Sequence, residues 1–494
     1  MRIFPIPVNF KKPVPSAFIS LLPLVVLVGM LVLVVRTYGS DALAGASQVT
    51  LLVVSALCVA LGMGCLGVPW KAFEKAICDN IANVGSALVI LLLIGALSGA
   101  WMVSGVVPTL IYYGMEVIRP GIFLASGCII SALVSVMTGS SWTTVATIGI
   151  ALMGIGRAEG FADGWVAGAI ISGAYFGDKV SPLSDTTVLA ASVTETPLFT
   201  HIQYMVYTTV PSVIISLLVF TVAGFQTSSA DAAQIEAFSE ALQQGYCISP
   251  WLMTVPLFTA ILIAKKIPSV VVLLLSFVVA GLFAIFFQPQ VLISISGLEA
   301  GGWLPYVKGL LMTFYDSTHV DTGNETLNEL VSTRGMCGML NTIWLIICAM
   351  CFGGAMSASG MLGSITQLFL RFMKGTVSTV ASTVVSGLSL NICTSDQFIA
   401  IILNSEMFKR VYQEKGYESR LLSRTTEDAV TVTSVLIPWS TCGMTQATIL
   451  GVSTWTYLPY CIFNLVSPLM SILVAATGYR IFRHRRPKAA AEPI

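Results

Sequence analysis

The sequence predicts an all-α polytopic membrane protein with about ten complete spans, two re-entrant hairpins and an inverted repeat that contains broken helices. Of the 494 residues, 55% are hydrophobic and 10% are charged, whereas soluble domains carry roughly 25% charged residues. Apolar runs long enough to cross a hydrocarbon core of about 30 Å recur from Ser16 to Tyr479. The lipid bilayer is therefore the predicted solvent, and residues 1–494 are predicted to form a single transmembrane domain.

The charge and the motif content exclude several classes of function. A net charge of +1 provides no basic surface, so no nucleic-acid partner is expected. No nucleotide-binding glycine loop, nucleophile–base pair or metal motif is visible, so we expect neither an enzyme nor a bound cofactor. Cys348 and Cys351 form the close cysteine pair, and without a histidine nearby they are interpreted as helix-packing residues.

Ten apolar stretches are long enough to be predicted as complete spans. The first exceeds the 7 to 15 apolar residues of a signal peptide, so we interpret it as an uncleaved span. The predicted spans are 16–35, 47–67, 84–103, 165–192, 202–224, 251–264, 269–287, 340–356, 425–454 and 455–478.

The distribution of lysine and arginine predicts the orientation, because cytoplasmic segments carry the excess of these residues. Basic connecting segments and the basic tail 480–494 fall on one side of the predicted spans. The segments 225–249 and 289–334 carry acidic residues and fall on the other side, so they are predicted as external loops. Both termini are therefore expected in the cytoplasm.

Two apolar stretches do not fit as simple spans. Residues 121–156 are interrupted at Thr138-Gly-Ser-Ser141, and residues 376–407 at Thr394-Ser-Asp-Gln397. A segment that starts and ends on one side and is polar halfway is typical of a re-entrant hairpin, whose tip must face protein or a water-filled cavity. The first hairpin is predicted to enter from outside and the second from inside.

An internal repeat connects these features. Shifting the chain by about 256 residues brings Thr138 over Thr394, so the two hairpin tips align. The same shift brings Pro182 over Pro438, and it also aligns Ser184 with Ser440, Ala191 with Ala447 and Tyr204 with Tyr460. Five predicted spans, an odd number, separate the copies, so the repeat at about 84–224 and about 338–478 is predicted to be inverted. This architecture is common among alternating-access carriers.

The segment 176–187 places Asp178, Lys179 and Asp185 inside a predicted crossing. A single aspartate at a helix centre costs about 2.5–3.5 kcal/mol on insertion scales, so these residues require a compensating environment. Pro182 cannot donate a backbone hydrogen bond and disfavours a helical conformation at Ser181, so the helix is expected to open there and free its carbonyl groups.

The opened backbone provides the hard oxygen ligands that suit sodium. We predict a sodium site at Ser184, Asp185 and Thr186, with Ser181 and Thr187 nearby. Burial disfavours a charged carboxylate and a bound cation favours it, so sodium binding would expel a proton from Asp185 or Asp178. In the alternative interpretation, Asp178 and Lys179 pair with residues elsewhere and hold the broken helix in place.

The second copy supplies a different set of polar residues. Ser440 and Thr441 follow Pro438, and the positions that match Asp178 and Asp185 are uncharged, so the two halves are not expected to be equivalent. At the hairpin tips we predict that Asp396 faces the cavity. The other candidates are Thr394 and Ser395 beside it and Thr138, Ser140 and Ser141 opposite; small polar residues at a tip can instead satisfy helix ends.

Other polar residues are interpreted as structural. Glu427 and Asp428 follow a basic loop and are expected to stabilise the N-terminus of the second broken helix. His201 is not expected to be a ligand. Glu195 and Arg157 are expected to be solvated near loop boundaries.

The run Gly177-Asp-Lys-Val-Ser-Pro-Leu-Ser-Asp-Thr-Thr187, followed by Ala190-Ala-Ser-Val-Thr194 and Thr200-His-Ile-Gln-Tyr-Met205, resembles the NhaC family of sodium/proton antiporters. The resemblance extends over nearly the whole chain. It implies exchange of sodium for protons in a bacterial inner membrane. Asp178 and the run from Ser181 to Thr187 match the motif of the family, and within it we predict Asp178 and Asp185 as the ion-handling carboxylates.

The family also contains members that resemble malate/lactate exchangers, so a small organic carboxylate or an amino acid is the alternative cargo. The candidate site holds Lys179 but is expected to lack a buried arginine. Because arginine binds carboxylates in a bidentate manner, the expected lack of arginine argues against an organic carboxylate as the cargo. The sequence leaves open whether the protein forms a homodimer.

Overall fold

A computed structural model describes residues 15–38, 45–117, 120–226, 232–265, 267–299, 301–320, 328, 331–370 and 373–482. Helices joined by short turns make up nearly all of this part, whose isolated β-bridge joins Thr318 and Thr333. The predicted all-α class is confirmed. The predicted tail beyond residue 482 lies outside the described residues.

Seven helices in the described ranges are long and apolar enough to cross a membrane, and two bent helix pairs raise the number to as many as nine. The chain is therefore a multi-pass membrane protein, while the count of ten complete spans stays a prediction. The seven are Ala17–Tyr38, Ala46–Leu66, Gly85–Val103, Leu198–Gln226, Ser269–Phe287, Cys337–Ala358 and Thr376–Thr394. The bent pairs are Ser239–Gly245 with Pro250–Ile263, and Thr454–Tyr460 with Ile462–Thr477.

Several shorter helices lie in segments that the sequence did not predict as helical. The expected external loop 289–334 contains two of them, and Gly309 on one packs against the Leu292 carbonyl of the other, where an added Cβ would lie 2.2 Å from its oxygen. The segment is therefore partly helical, and helices this short give no span-length apolar signal in the sequence. Its external location stays a prediction. The short helices are Trp70–Asn83, Val106–Val117, Ala232–Gly245, Pro289–Ser296, Leu304–Tyr315 and Met361–Leu370.

The first hairpin, residues 123–158, turns at its predicted polar tip. Its first arm, Phe123–Thr138, ends at Gly139 in the left-handed conformation with φ of 66°. Ser140 then caps the returning arm, which comprises Ser141–Thr144, the π-helix Val145–Gly149 and Ile150–Ala158.

The second hairpin, residues 376–414, has the same local design. Its arm Thr376–Thr394 ends at Ser395, which is left-handed with φ of 59°. The side chain of Asp396 then caps the returning arm Gln397–Glu414.

Two broken helices follow the hairpins at the predicted prolines. The first broken helix comprises Asp163–Val180 and Asp185–Val193, with the break at residues 181–184. The second broken helix, residues 419–450, has more pieces: Ser419–Thr426, the π-helix Glu427–Thr431, the short 3-10 helix Ser434–Leu436 and Thr441–Leu450.

Glycines bring the first hairpin and the first broken helix into backbone contact. A Cβ added at Gly173 would lie 2.0 Å from the carbonyl oxygen of Cys128, and one added at Gly177 would lie 2.4 Å from that of Ala132. Spacing of small residues by four positions allows such close packing of membrane helices. This contact places the end of the first broken helix beside the hairpin tip.

Candidate functional site

Asp178 is the buried carboxylate at the first break. Only 7% of the residue is exposed, and its Oδ2 accepts hydrogen bonds from the Ser141 hydroxyl at 2.8 Å and the Ser141 amide at 3.1 Å. Ser184, which caps the next helix, also lies beside this carboxylate. Asp178 therefore connects the first broken helix to the tip of the first hairpin.

Side-chain hydroxyls form hydrogen bonds with backbone groups at the first break and in the neighbouring hairpin. Thr187 donates to the Lys179 carbonyl at 3.0 Å, and Ser181 donates to the carbonyl of Val136 in the hairpin at 2.8 Å. Ser184 accepts from the Thr187 amide at 3.4 Å, and its hydroxyl lies 3.0 Å from that of Thr186. The hydroxyls predicted as ion ligands thus also have structural partners.

The residues of the predicted sodium site, Ser184, Asp185 and Thr186, differ in their exposure to solvent. Ser184 and Thr186 are buried, whereas Asp185 is exposed at the start of the following helix. Asp178 lies within electrostatic range of Asp185. In the described part of the chain no group of three His, Cys, Asp or Glu residues could hold a metal ion. A cation here would depend on hydroxyl and carbonyl oxygens around a single carboxylate, and Asp178 is the better placed one.

Asp396 connects the second hairpin to the second break. Its Oδ1 accepts from the amides of Phe398 and Ile399 at 3.0 Å each, and its Oδ2 accepts from the Thr441 hydroxyl at 3.2 Å. The Thr441 amide donates to the Ser395 carbonyl at 2.8 Å. Asp396 is 3% exposed, so its carboxylate lies within the protein and also caps a helix.

The remaining hairpin and break residues mainly satisfy turns and helix ends. Thr138 donates to the Ser140 carbonyl at 3.1 Å, and Thr394 makes the equivalent bond to the Asp396 carbonyl at 3.0 Å. Ser440 caps the last piece of the second broken helix by accepting from the Gly443 amide at 3.0 Å. These contacts agree with the structural alternative for small polar residues.

Lys179 is fully buried and forms an ion pair with Asp428 across the two broken helices. Its ammonium group also donates to the Ser467 hydroxyl at 3.2 Å, and Asp428 accepts from Thr208 at 3.2 Å. The interpretation of Lys179 as a residue that holds the broken helix in place therefore has a specific partner. The expectation that Asp428 lies at a helix N-terminus is wrong, since the helix begins at Ser419.

Arg424 and Glu427 are also fully buried beside this pair. The Arg424 Nε lies 3.9 Å from Asp428 Oδ2, and its guanidinium carbon lies 4.5 Å from the centroid of the Tyr204 ring. The expectation that the site lacks a buried arginine is wrong: the basic residues up to Arg424 are typical of a loop, whereas the helix already begins at Ser419 and buries Arg424. The internal repeat could have predicted the burial of Glu427, since the shift of about 256 residues places Glu427 over Ile171, in the middle of the first broken helix.

The other polar residues singled out from the sequence lie away from the breaks or have simple partners. His201 is buried and its Nδ1 lies 2.8 Å from the Ser423 hydroxyl. Glu195 pairs with Lys409 at 2.7 Å, and Arg157 pairs with Asp163 at 2.9 Å, with all four side chains partly exposed.

Comparison with known proteins identifies the family. A model of the Na+/H+ antiporter family matches residues 173–479. The malate-2H+/Na+-lactate antiporter of Bacillus subtilis is 36% identical over 431 residues, 87% of this chain and 89% of the relative. The Na+/H+ antiporter NhaC of the same organism is 34% identical and covers 83% of this chain and 87% of the relative. The arginine/ornithine antiporter ArcD of Halobacterium salinarum is 30% identical and covers 95% and 93%. The matched region contains the break of the first broken helix, the whole second broken helix and the second hairpin, and the relatives cover 83–95% of this chain, so this chain belongs to the Na+/H+ antiporter family.

Proposed function

We propose that the protein exchanges sodium for protons across the bacterial inner membrane by alternating access, with both termini in the cytoplasm. The observation that carries the proposal is the position of Asp178, buried at a proline break and hydrogen-bonded to the tip of a hairpin. Membership of the Na+/H+ antiporter family supports the same cargo.

The proposed chemistry requires one carboxylate to bind two cargoes in turn. Without sodium, a proton neutralises Asp178, because an ionised carboxylate in this environment is costly. When sodium binds among the oxygens of Asp178, Ser141 and Ser184, its charge favours the ionised carboxylate and the proton leaves. The two cargoes therefore exclude each other, which is sufficient for antiport.

The proposed repeat of residues 84–224 and 338–478 would allow one half to rock against the other. Its support is local geometry that recurs at positions 256 apart in the sequence. Gly139 and Ser395 are both left-handed, and the next residues both cap a helix. Ser184 and Ser440 both cap the helix after a break, accepting from the amide three residues on.

The carboxylates of the two halves occupy different places within this shared geometry. In the first half, Asp178 on the broken helix accepts from Ser141 on the hairpin. The matching pair in the second half is uncharged, with Ser434 donating to Gln397 at 3.2 Å. There the carboxylate is Asp396 on the hairpin. Each half thus has one carboxylate that joins a hairpin to a break, and we propose that Asp178 carries the cargo.

Two observations favour a second candidate, exchange of a small organic carboxylate or an amino acid coupled to sodium. The buried guanidinium of Arg424 removes the argument that the site lacks an arginine. The Bacillus relative named for malate and lactate and the Halobacterium relative named for arginine and ornithine add support from the family.

Measurements in inside-out vesicles separate the two candidates. Sodium should dissipate a preformed proton gradient without any organic solute, and Asp178→Asn should abolish this response. Asp163→Asn is the matched control, because Asp163 pairs with Arg157 at the partly exposed start of the same helix. Absence of sodium-dependent proton movement in correctly inserted wild-type protein contradicts the proposal, and a response that requires malate, lactate or an amino acid supports the second candidate.

A further inference from the structure

Glu427 is a fully buried residue whose carboxylate has no ion-pair partner among the described residues. Among the described residues neither of its oxygens accepts a hydrogen bond of normal geometry, although the hydroxyl of Thr431 lies beside it. An isolated ionised carboxylate in such surroundings is strongly unfavourable, so Glu427 requires a positive charge or a proton.

The two buried cations nearby are already engaged with another carboxylate. Lys179 pairs with Asp428 and with the hydroxyl of Ser467. The acidic oxygen paired with Arg424 is also on Asp428, at 3.9 Å. Within the described part of the chain, no salt bridge involves Glu427.

The position of Glu427 connects it to the proposed cargo site. It is the first residue of the π-helix Glu427–Thr431, and such local π-helices occur frequently at functional sites. Asp178, Lys179 and Asp428 lie within electrostatic range of Glu427. Of the helices that pack against this π-helix, Thr376–Thr394 and Ile462–Thr477 contain no charged residue.

The remaining elements packed on the π-helix provide no further buried charge apart from Arg424. Asp185 begins the helix Asp185–Val193 and is exposed, and the charged residues of Gln397–Glu414 are not buried. Asp178 and Glu427, one on each broken helix, are thus within electrostatic range of each other, and the residues next to them, Lys179 and Asp428, form an ion pair.

The charges in this group do not balance when every carboxyl is ionised. Lys179 and Arg424 provide two positive charges, whereas Asp178, Glu427 and Asp428 provide three negative ones. Asp428 is the carboxyl that pairs with both cations. Asp178 and Glu427 have no salt bridge within the described part of the chain, so each depends on a proton or a bound cation.

We propose that Glu427 is a second proton-carrying group of this site, so that one sodium ion bound near Asp178 displaces a proton from Glu427 as well. The sodium charge would favour the ionised form of both carboxyls through the short distance between the broken helices. This inference rests on the proposed function and adds to it a second proton acceptor in the opposite half of the chain.

The direct test counts protons released when sodium binds to the purified full-length protein, by calorimetry in buffers of different ionisation enthalpy. Glu427→Gln should still bind sodium, and the number of protons released per sodium should fall by about one. Glu159→Gln is the matched control and should leave the number unchanged, because Glu159 is also buried with an unpartnered Oε2 but lies at the end of the first hairpin.

The outcomes distinguish a failure of the role of Glu427 from a failure of the proposed sodium/proton exchange. A Glu427→Gln variant that releases as many protons as wild type overturns the role of Glu427, and so does an equal loss in Glu159→Gln. Wild-type protein that binds sodium without releasing any proton overturns the proposed function itself.

A measurement on the wild-type chain covers the case in which Glu427→Gln does not fold. A hydrophobic carbodiimide reacts with protonated carboxyls inside a membrane protein, and peptide mass spectrometry identifies the modified residue. Glu427 should be modified without sodium and protected by saturating sodium. Modification of Glu427 that sodium does not change, in protein whose Asp178 is protected by sodium, overturns the proposal.

Discussion

Replacing Lys179 with methionine should destabilise the protein strongly, because it removes one partner of a buried ion pair. Asp428 would keep its bonds from Ser467 at 3.0 Å and Thr208 at 3.2 Å, but its charge would lose the ammonium group. Breaking such a pair costs about 3–5 kcal/mol. The remaining cation, Arg424 at 3.9 Å from Asp428, still offsets part of the unpaired charge. We therefore expect a destabilisation at the lower end of this range, about 3 kcal/mol.

A double-mutant cycle tests whether the loss comes from the unpaired charge. Lys179→Met combined with Asp428→Asn removes both charges and should restore about 2 kcal/mol relative to Lys179→Met alone, since neutral replacement of a buried pair is close to neutral. Recovery should be incomplete, because Arg424 then loses its acidic partner. Thermal unfolding in detergent, followed by loss of the monodisperse peak, gives the order of stability. Lys179→Met as stable as wild type, or a double variant no better than the single one, refutes the reasoning.

Three further substitutions test the contacts around the breaks. Ser141→Ala removes the hydroxyl bond to Asp178 but keeps the amide bond. The sodium concentration for half-maximal exchange should therefore rise at least about tenfold, since a hydrogen bond to a charged group contributes about 1.5–3 kcal/mol. Unchanged sodium dependence would exclude Ser141 from the site. Gly177→Leu places side-chain atoms where a Cβ already lies 2.4 Å from the Ala132 carbonyl, so folded yield should collapse, whereas Gly64→Leu, with open space around its Cβ, should be tolerated. Equal yields would contradict the close packing. Asp396→Asn keeps a helix-capping side chain, so stability should change by less than about 1 kcal/mol; a larger drop in thermal stability would show that the charge itself holds the hairpin tip.

The broken helices and the hairpin turns could be predicted because they depend on local backbone chemistry. Pro182 and Pro438 break their helices through a missing amide and a restricted preceding residue, and these effects act over a few positions. The tip glycine Gly139 adopts a left-handed conformation next to a serine that caps a helix, which is a local signal as well.

The partners of the buried charges could not be predicted in the same way. Lys179 and Asp428 are 249 positions apart, and no local pattern specifies which acidic residue lies opposite a buried lysine. Asp178 and Asp185 are on separate pieces of one broken helix, so the geometry of the break decides which of them is buried. The basic residues before Glu427 predict a loop, so Glu427 is expected at a helix start, while the helix containing it begins eight positions earlier at Ser419.

Sodium-driven proton movement in proteoliposomes, without organic solute, tests the role of Asp178 most directly. The account predicts rapid proton movement when a sodium gradient is imposed on wild-type protein, and none with a folded Asp178→Asn variant. Proton movement at the wild-type rate in Asp178→Asn would contradict the account.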